Sequence, residues 1–166
     1  DEALERFPAE RRAGVHIVFS AHGTPLAEVR SGDPYTQEVR ESVEAVMAAR
    51  GNDYDHWLGF QSRVGPAKWT EPNTVGLIER LLNYGQQDLL VVPIAFVTDH
   101  IETLMELKIE LPEELEGKTI RQLEITEGLN THPAFIGTLA DEVERVLGIA
   151  AAEPSPSTQA EKEVHA

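Results

Sequence analysis

The 166-residue chain contains no cysteine, and basic and aromatic residues are scarce in it. The absence of cysteine excludes disulfide bonds, thiolate nucleophiles, and zinc or iron–sulfur sites built on cysteine ligands of this chain. Lys and Arg number 14 against 29 Asp and Glu, which gives a formal net charge of −15 at pH 7. Nucleic acids and anionic membrane surfaces select basic proteins, so this balance argues against both as partners.

Long apolar runs are missing as well. The longest run, residues 89–97, reaches about half the length of a membrane span, so no transmembrane segment is expected. No charged-then-apolar leader marks the N-terminus for export, and we predict a cytoplasmic protein. The length fits a single domain that is large enough to bury a core.

Both ends of the chain have a composition typical of unordered segments. Residues 1–12 are rich in charge and contain a proline, and residues 149–166 combine Pro-Ser-Pro-Ser with Glu-Lys-Glu. Such segments bury too little apolar surface to order themselves. We therefore predict a flexible segment over residues 1–12, a folded lobe over 13–148 and a disordered tail over 149–166.

Between the two ends, short apolar segments alternate with segments of helical periodicity. Predicted strands lie at residues 15–20, 57–61, 89–95 and 120–125, and predicted helices at 34–50, 75–84, 101–111 and 131–147. The third helix is expected to stop at Pro112. Strands that alternate with helices pair in parallel through right-handed crossovers. The sequence thus predicts an α/β fold, an open four-stranded parallel sheet flanked by helices on both faces, as in one Rossmann-like lobe.

Polar side chains follow the predicted strands at the sheet edge where ligands bind in such folds. They are His22 after the first strand, Ser62, Arg63 and Trp69 after the second, and Asp99, His100 and Glu102 after the third. Imidazole and carboxylate ligands together suit iron(II), cobalt, nickel or zinc better than magnesium. His22 is therefore a candidate metal ligand or general base, although a histidine packed in a strand-end turn is the alternative.

Two further features of this edge have both a functional and a structural interpretation. Glu102, Glu106 and Glu110 recur every fourth residue and form either a solvated acidic face or a row that guides a cation. Arg63 and Trp69 could hold a flat, anionic, aromatic ligand. Alternatively, the indole belongs to the core and the guanidinium pairs with a surface carboxylate.

Several blocks, in order along the chain, resemble the C-terminal half of ferrochelatase, the enzyme that inserts iron(II) into a porphyrin in haem synthesis. The blocks are residues 19–26, 32–35, 60–66 with Trp69, 91–104, and 129–130 with 133–135, and the resemblance spans about residues 14–147. It implies a lyase-class chelatase that has Fe2+ as substrate. No prosthetic group is expected, because the absence of cysteine excludes the iron–sulfur cluster that some ferrochelatases carry. The implied porphyrin is protoporphyrin IX or coproporphyrin III.

The resemblance also implies a role for each candidate residue. His22 would be the metal-site histidine that accepts pyrrole protons, and Glu102 the partner carboxylate across the porphyrin face. Glu106 and Glu110 match an acidic row on a helix with a widened turn, which resembles a path for metal delivery. The supporting or porphyrin-binding residues would be Asp99, His100, Trp69, Arg63 and Ser62.

Ferrochelatases resemble two similar lobes with the porphyrin between them, and this chain has the length of one. The expected partner is therefore an N-terminal lobe. One alternative is a short sirohydrochlorin chelatase for cobalt or nickel that pairs with a second copy of itself. The other is a lobe that binds metal or porphyrin without turnover.

Overall fold

The computed structural model describes residues 1–101 and 103–148 of the chain. The predicted tail at 149–166 lies outside the described residues. The chain divides into two compact units, Asp1–Gly128 and Leu129–Ala166. Within the described residues, no helix is both long and apolar enough to span a membrane.

The first unit is built on a four-stranded parallel sheet. Its strands are β1 (His16–His22), β2 (His56–Gln61), β3 (Asp88–Pro93) and β4 (Gln122–Ile125), and their order is β2-β1-β3-β4. Every neighbouring pair is parallel. The order reverses direction after β2, so the sheet is doubly wound, and the predicted open α/β architecture is confirmed.

Helices connect the strands and, in the second unit, follow the last of them. They are α1 (Ala9–Arg12), α2 (Leu26–Arg30), α3 (Tyr35–Ala49), α4 (Thr74–Asn83), a π-helix (Thr103–Glu110), α5 (Leu111–Glu114) and α6 (Pro133–Leu147), preceded by a 3-10 turn (Leu4–Arg6). The predicted long helices and all four strands are present, with ends within about three residues of expectation. The short helix α2 was not predicted.

Alternate side chains of the strands face opposite sides of the sheet and bury two separate cores. On one side, Val18 and Val91 pack against Ile78 of α4 and Leu107 of the π-helix. On the other side, Phe19 packs with residues of α3. Helices therefore cover both faces of the sheet, as a parallel sheet requires.

Helix α3 shows how the sequence sets this packing. Val39, Val43 and Met47 recur every fourth residue and are all buried, with Met47 fully so. Asp33 caps the helix start, since its Oδ1 accepts the Tyr35 N–H at 2.9 Å. Each fully buried side chain of this size contributes about 1.5–3 kcal/mol relative to exposure.

The prediction of a flexible segment over residues 1–12 is wrong for the structure described. Leu4 and Phe7 are 5% and 1% exposed and pack with Val15 and Leu90. Arg11 forms an ion pair with Asp88, which is 6% exposed at the start of β3. Two apolar anchors and one partly buried ion pair thus attach this charged segment to the sheet.

Pro112 does not stop the third predicted helix. The π-helix Thr103–Glu110 passes directly into α5, Leu111–Glu114, with the proline in the first turn of α5. Proline is tolerated at a first helical turn because the N–H that it lacks has no intrahelical acceptor there. The widened turns implied by the resemblance are confirmed, since hydrogen bonds in a π-helix span five residues.

The second unit consists, in its described part, mainly of α6. His132 caps it by accepting the Ala134 N–H on Nδ1 at 3.2 Å, and Gly148 ends it in the left-handed conformation with φ of +66°. The helix is amphipathic, yet none of its residues is buried within the described structure. Its exposed apolar side chains are Ile136, Leu139, Val143, Val146 and Leu147.

Candidate functional site

The carboxyl ends of the strands meet at one edge of the sheet, and His22 is the last residue of β1 there. It lies in register with Gln61, the last residue of β2. The Gly23 N–H donates to the Gln61 carbonyl oxygen at 2.8 Å and closes this end of the β1–β2 pair. The predicted position of His22 at a strand end is therefore confirmed.

Phe96 brings the two predicted histidines together. Its ring lies edge-on to His22 with the centroids 6.3 Å apart, and edge-on to His100 with the centroids 5.1 Å apart. Both imidazoles are half-buried at the same edge of the sheet. The Phe96 ring thus contacts both imidazoles and restricts their orientation.

The loop after β3 is held by two sets of hydrogen bonds. Asp99 Oδ1 accepts the Gly128 N–H at 3.0 Å, which ties this loop to the segment after β4. Thr103 Oγ1 accepts the His100 N–H at 3.0 Å and lies 3.1 Å from the His100 carbonyl oxygen. A side chain at Gly128 would collide with the backbone of Asp99, 2.8 Å from the site of its Cβ. Asp99 thus supports the position of His100.

Glu106 of the π-helix faces the end of β2. Ser62 Oγ lies 2.8 Å and 2.6 Å from its two carboxylate oxygens, and Gln61 Nε2 donates to Oε2 at 3.2 Å. Ser62 reaches this carboxylate from a backbone with φ of +65°, an uncommon conformation for a residue other than glycine. Two neutral donors therefore orient a half-buried carboxylate at the site edge.

An acidic cleft of about 420 Å³ lies beside Glu106. Its wall includes Glu79, Glu110 and Glu114, together with the exposed Arg63. Four carboxylates in one cleft concentrate negative potential and attract cations. Glu106 and Glu110 both line this cleft. Within residues 1–101 and 103–148, no three His, Asp or Glu side chains are arranged to hold a metal ion together.

Trp69 belongs to a second connection that braces the same edge. Pro25 and Trp69 form an isolated antiparallel bridge, and Thr70 N donates to Thr24 O at 2.9 Å. The indole lies over Gly23, with its Cε3 atom 3.5 Å from the site of a Cβ. Trp69 is half-buried next to the turn that follows His22.

Tyr35, which lies in the sequence block 32–35 but was given no role from the sequence, contacts the backbone of His22. Burial raises the pKa of its phenol, a hydrogen bond with the His22 backbone lowers that pKa, and the charge of Asp33 raises it; the pKa is raised overall. Tyr35 packs beside Ala21 and Phe60. It thereby fixes the end of β1 from the α3 side.

Replacing Tyr35 with phenylalanine is expected to flatten the alkaline loss of stability. Because the folded-state pKa is raised, the native state holds the proton longer, and the free energy of unfolding falls as pH rises above about 10. Urea unfolding at a series of alkaline pH values measures this slope. The change should be small because the phenol is only partly buried. Tyr84→Phe at an exposed position is the matched control, and equal slopes in wild type and Tyr35→Phe would contradict the assignment.

One predicted site residue, Glu102, lies outside the described residues. Three other residues of the site were given no role in the sequence analysis. Ser20, Gln61 and Thr74 form a buried hydrogen-bonded chain that leads to Glu106. Neutral polar residues in apolar strands and helices carry no pattern of their own, so only the structure reveals this contact.

The sequence profile of the ferrochelatase family matches residues 1–147 of the chain. Three relatives described as ferrochelatase come from Trichodesmium erythraeum, Geotalea uraniireducens and a Nostoc species. They are 46%, 44% and 41% identical and cover 89%, 89% and 98% of this chain. The chain spans only 38%, 45% and 42% of the length of these relatives.

A solved structure gives independent support for the architecture. The chain resembles a CbiX protein of Marinobacter aquaeolei with a TM-score of 0.56 and 16% sequence identity. The match covers 81% of this chain and 98% of that one. At this identity the likeness concerns the fold, whereas the family assignment depends on the sequence comparisons. On the profile match and on identities above 40%, the chain belongs to the ferrochelatase family.

Proposed function

We propose that this chain is the C-terminal lobe of a lyase-class chelatase that inserts iron(II) into protoporphyrin IX or coproporphyrin III. The observation that carries the proposal is the position of His22 at the end of β1, in register with the Gln61 that holds Glu106. An imidazole and a carboxylate thus border one sheet edge. Because the chain spans less than half of its relatives, the complete protein is the unit that we expect to turn over.

Porphyrin metallation exchanges two pyrrole N–H protons for one divalent cation. A base at one face must take up these protons, and neutral imidazole does so near neutral pH. His22 is the proposed base, and Phe96 restricts its orientation. Glu102 is the proposed partner carboxylate across the porphyrin face, a role that rests on the family resemblance.

The acidic cleft is the proposed approach for the iron. Carboxylate oxygens bind a hydrated divalent cation without removing all of its water, so the ion can still be transferred to the ring nitrogens. Glu106 and Glu110 both line this cleft. Asp99 and His100 support the transfer from the loop after β3. Trp69 supplies an apolar surface, and the Arg63 guanidinium suits the carboxylates of a porphyrin.

Replacing Glu106 with glutamine in the complete protein is expected to raise the KM for iron(II) on the order of tenfold, about 1.4 kcal/mol of lost interaction. The KM for porphyrin should stay unchanged, because the substitution removes a charge only from the cleft that is the proposed approach for iron. Anaerobic insertion assays that follow the loss of porphyrin fluorescence measure both constants. Glu44→Gln, on the exposed side of α3, is the matched control. An unchanged KM for iron would remove Glu106 from the proposed path.

The two alternatives differ from this proposal in assembly and in turnover. A short chelatase would form a C2 dimer of this chain, which sedimentation detects at working concentration. A non-catalytic lobe would bind porphyrin in a titration and yield no metalloporphyrin once the complete protein is assembled. The names and partial coverage of the relatives favour a lobe of a longer enzyme over both.

We further propose that the enzyme works without a resident prosthetic group, with iron as its substrate. The cysteine-free chain offers no thiolate ligand for an iron–sulfur cluster. An assay for acid-labile sulfide in the purified complete protein tests this point. The cytoplasmic location expected from the sequence stays a prediction that cell fractionation would test.

A further inference from the structure

A chain of three buried polar side chains runs from inside the sheet to the site. Ser20 is fully buried, and Thr74 and Gln61 are 3% and 7% exposed. Ser20 Oγ lies 2.8 Å from Thr74 Oγ1 and 2.7 Å from Gln61 Oε1. Gln61 Nε2 in turn donates to Glu106 Oε2 at 3.2 Å. This hydrogen-bonded series of side chains therefore links helix α4, strands β1 and β2, and the π-helix.

The donor directions along this chain are fixed by chemistry. The Gln61 Oε1 atom can only accept, so the Ser20 hydroxyl must donate to it. The Ser20 oxygen is then the acceptor of the Thr74 hydroxyl. A flipped Gln61 amide would turn its oxygen towards the carboxylate of Glu106, which is repulsive, so one amide orientation is selected. Every donor step thus points towards Glu106.

We propose that Gln61 is a positioning residue, which Ser20 and Thr74 lock in place and which orients the Glu106 carboxylate for iron beside His22. The Gln61 backbone is in register with His22, and its carbonyl oxygen accepts the Gly23 N–H. Gln61 therefore contacts both the end of β1 that carries the imidazole and, together with Ser62, the carboxylate on the π-helix. This inference rests on the proposed function, in which Glu106 contacts the iron.

The role predicts that Gln61 acts on metal through Glu106 alone. Replacing Gln61 with leucine should weaken binding of Co2+, a stable probe for iron(II), about tenfold in the complete protein. In a Glu106→Gln background the same replacement should change Co2+ binding less than about twofold, because the group that it positions is already altered. Calorimetric titration without porphyrin measures both, and the insertion assay should show a raised KM for iron with the porphyrin KM unchanged.

Thr74 lies at the end of this hydrogen-bonded series that is farthest from Glu106, and conservative substitutions there test the role of its hydroxyl. Thr74→Val removes the hydroxyl at nearly constant shape and should weaken Co2+ binding by a few-fold, whereas Thr74→Ser keeps the donor and should restore it. Ser42→Ala, which removes an exposed hydroxyl from α3, is the matched control. Thermal unfolding of every variant reports whether it is folded.

The outcomes separate the inference from the function on which it rests. Weaker Co2+ binding in Gln61→Leu that disappears in the Glu106→Gln background supports the positioning role. Equal weakening in both backgrounds, or none in either while Glu106→Gln weakens binding, overturns it and leaves the proposed function intact. If Glu106→Gln itself binds Co2+ as wild type does, the iron role of Glu106 fails, and the positioning role fails with it.

Discussion

Replacing His22 with alanine in the complete protein is expected to lower the rate of metal insertion by about 10²–10⁴-fold, the range typical of a lost general base. His22 is the last residue of β1, at the edge where the carboxyl ends of the strands meet. Its ring contacts Phe96, which also contacts the ring of His100. Two pyrrole protons must leave for each iron inserted, so the loss should fall on kcat. Added imidazole should restore part of the activity, because the truncated side chain leaves space for a free base.

His56→Ala is the matched control for this experiment. His56 is the first residue of β2, at the opposite edge of the sheet. Its ring lies edge-on to that of Phe19, with the ring centroids 6.3 Å apart. The control variant should insert iron at a rate close to that of wild type, with a modest loss of stability from the lost packing. Near-normal turnover in His22→Ala, or an equal loss in both variants, would show that His22 is not the base.

Much of the fold could be predicted because local patterns and tertiary packing agree. Val39, Val43 and Met47 recur at helical spacing and are the residues that α3 buries. After Asp88, strand β3 is a continuous apolar run, as expected of a strand covered on both faces. The order β2-β1-β3-β4, in contrast, depends on which crossovers pack over which face. Four strand positions in the sequence do not encode that order.

The errors arise where long-range contacts outweigh composition. Residues 1–12 look like a charged tail, yet Leu4 and Phe7 pack against Leu90, a partner more than 80 residues away. Pro112 looks like a helix stop, but a π-helix ends just before it and a new α-helical turn begins. Neither outcome follows from a window of ten or fifteen residues.

The site was predictable only for residues with distinctive chemistry. His22 and Glu106 stand out because imidazole and carboxylate bind metals and protons, and their strand-end or helical spacing places them. Ser20 and Gln61 do not stand out, because a serine or glutamine in a strand is usually a surface residue. Their connection depends on the pairing of β1 with β2, which places Gln61 opposite His22.

Replacing Gly23 with alanine is expected to lower turnover about 10²-fold, the scale reported for a misplacement of about 1 Å at a catalytic group. A Cβ at this position would lie 2.8 Å from the Gln61 carbonyl oxygen, a backbone atom that is also the acceptor of the Gly23 N–H. The indole of Trp69 closes the other side at 3.5 Å. The turn must therefore shift, and it carries His22 and the β2 end with it.

The stability of this variant decides between a local and a global effect. Overpacking of this kind costs about 1–3 kcal/mol, which urea unfolding measures. Gly137→Ala is the matched control, since a Cβ there has nothing within 4 Å, and in helix α6 it should stabilise by about 0.5–1 kcal/mol. A folded Gly23→Ala protein that inserts iron at the wild-type rate would show that the close approach of β1 and β2 at this turn does not set the geometry of the site. Loss of turnover with most of the stability retained would show that it does, because the methyl group adds no charge and removes no functional side chain.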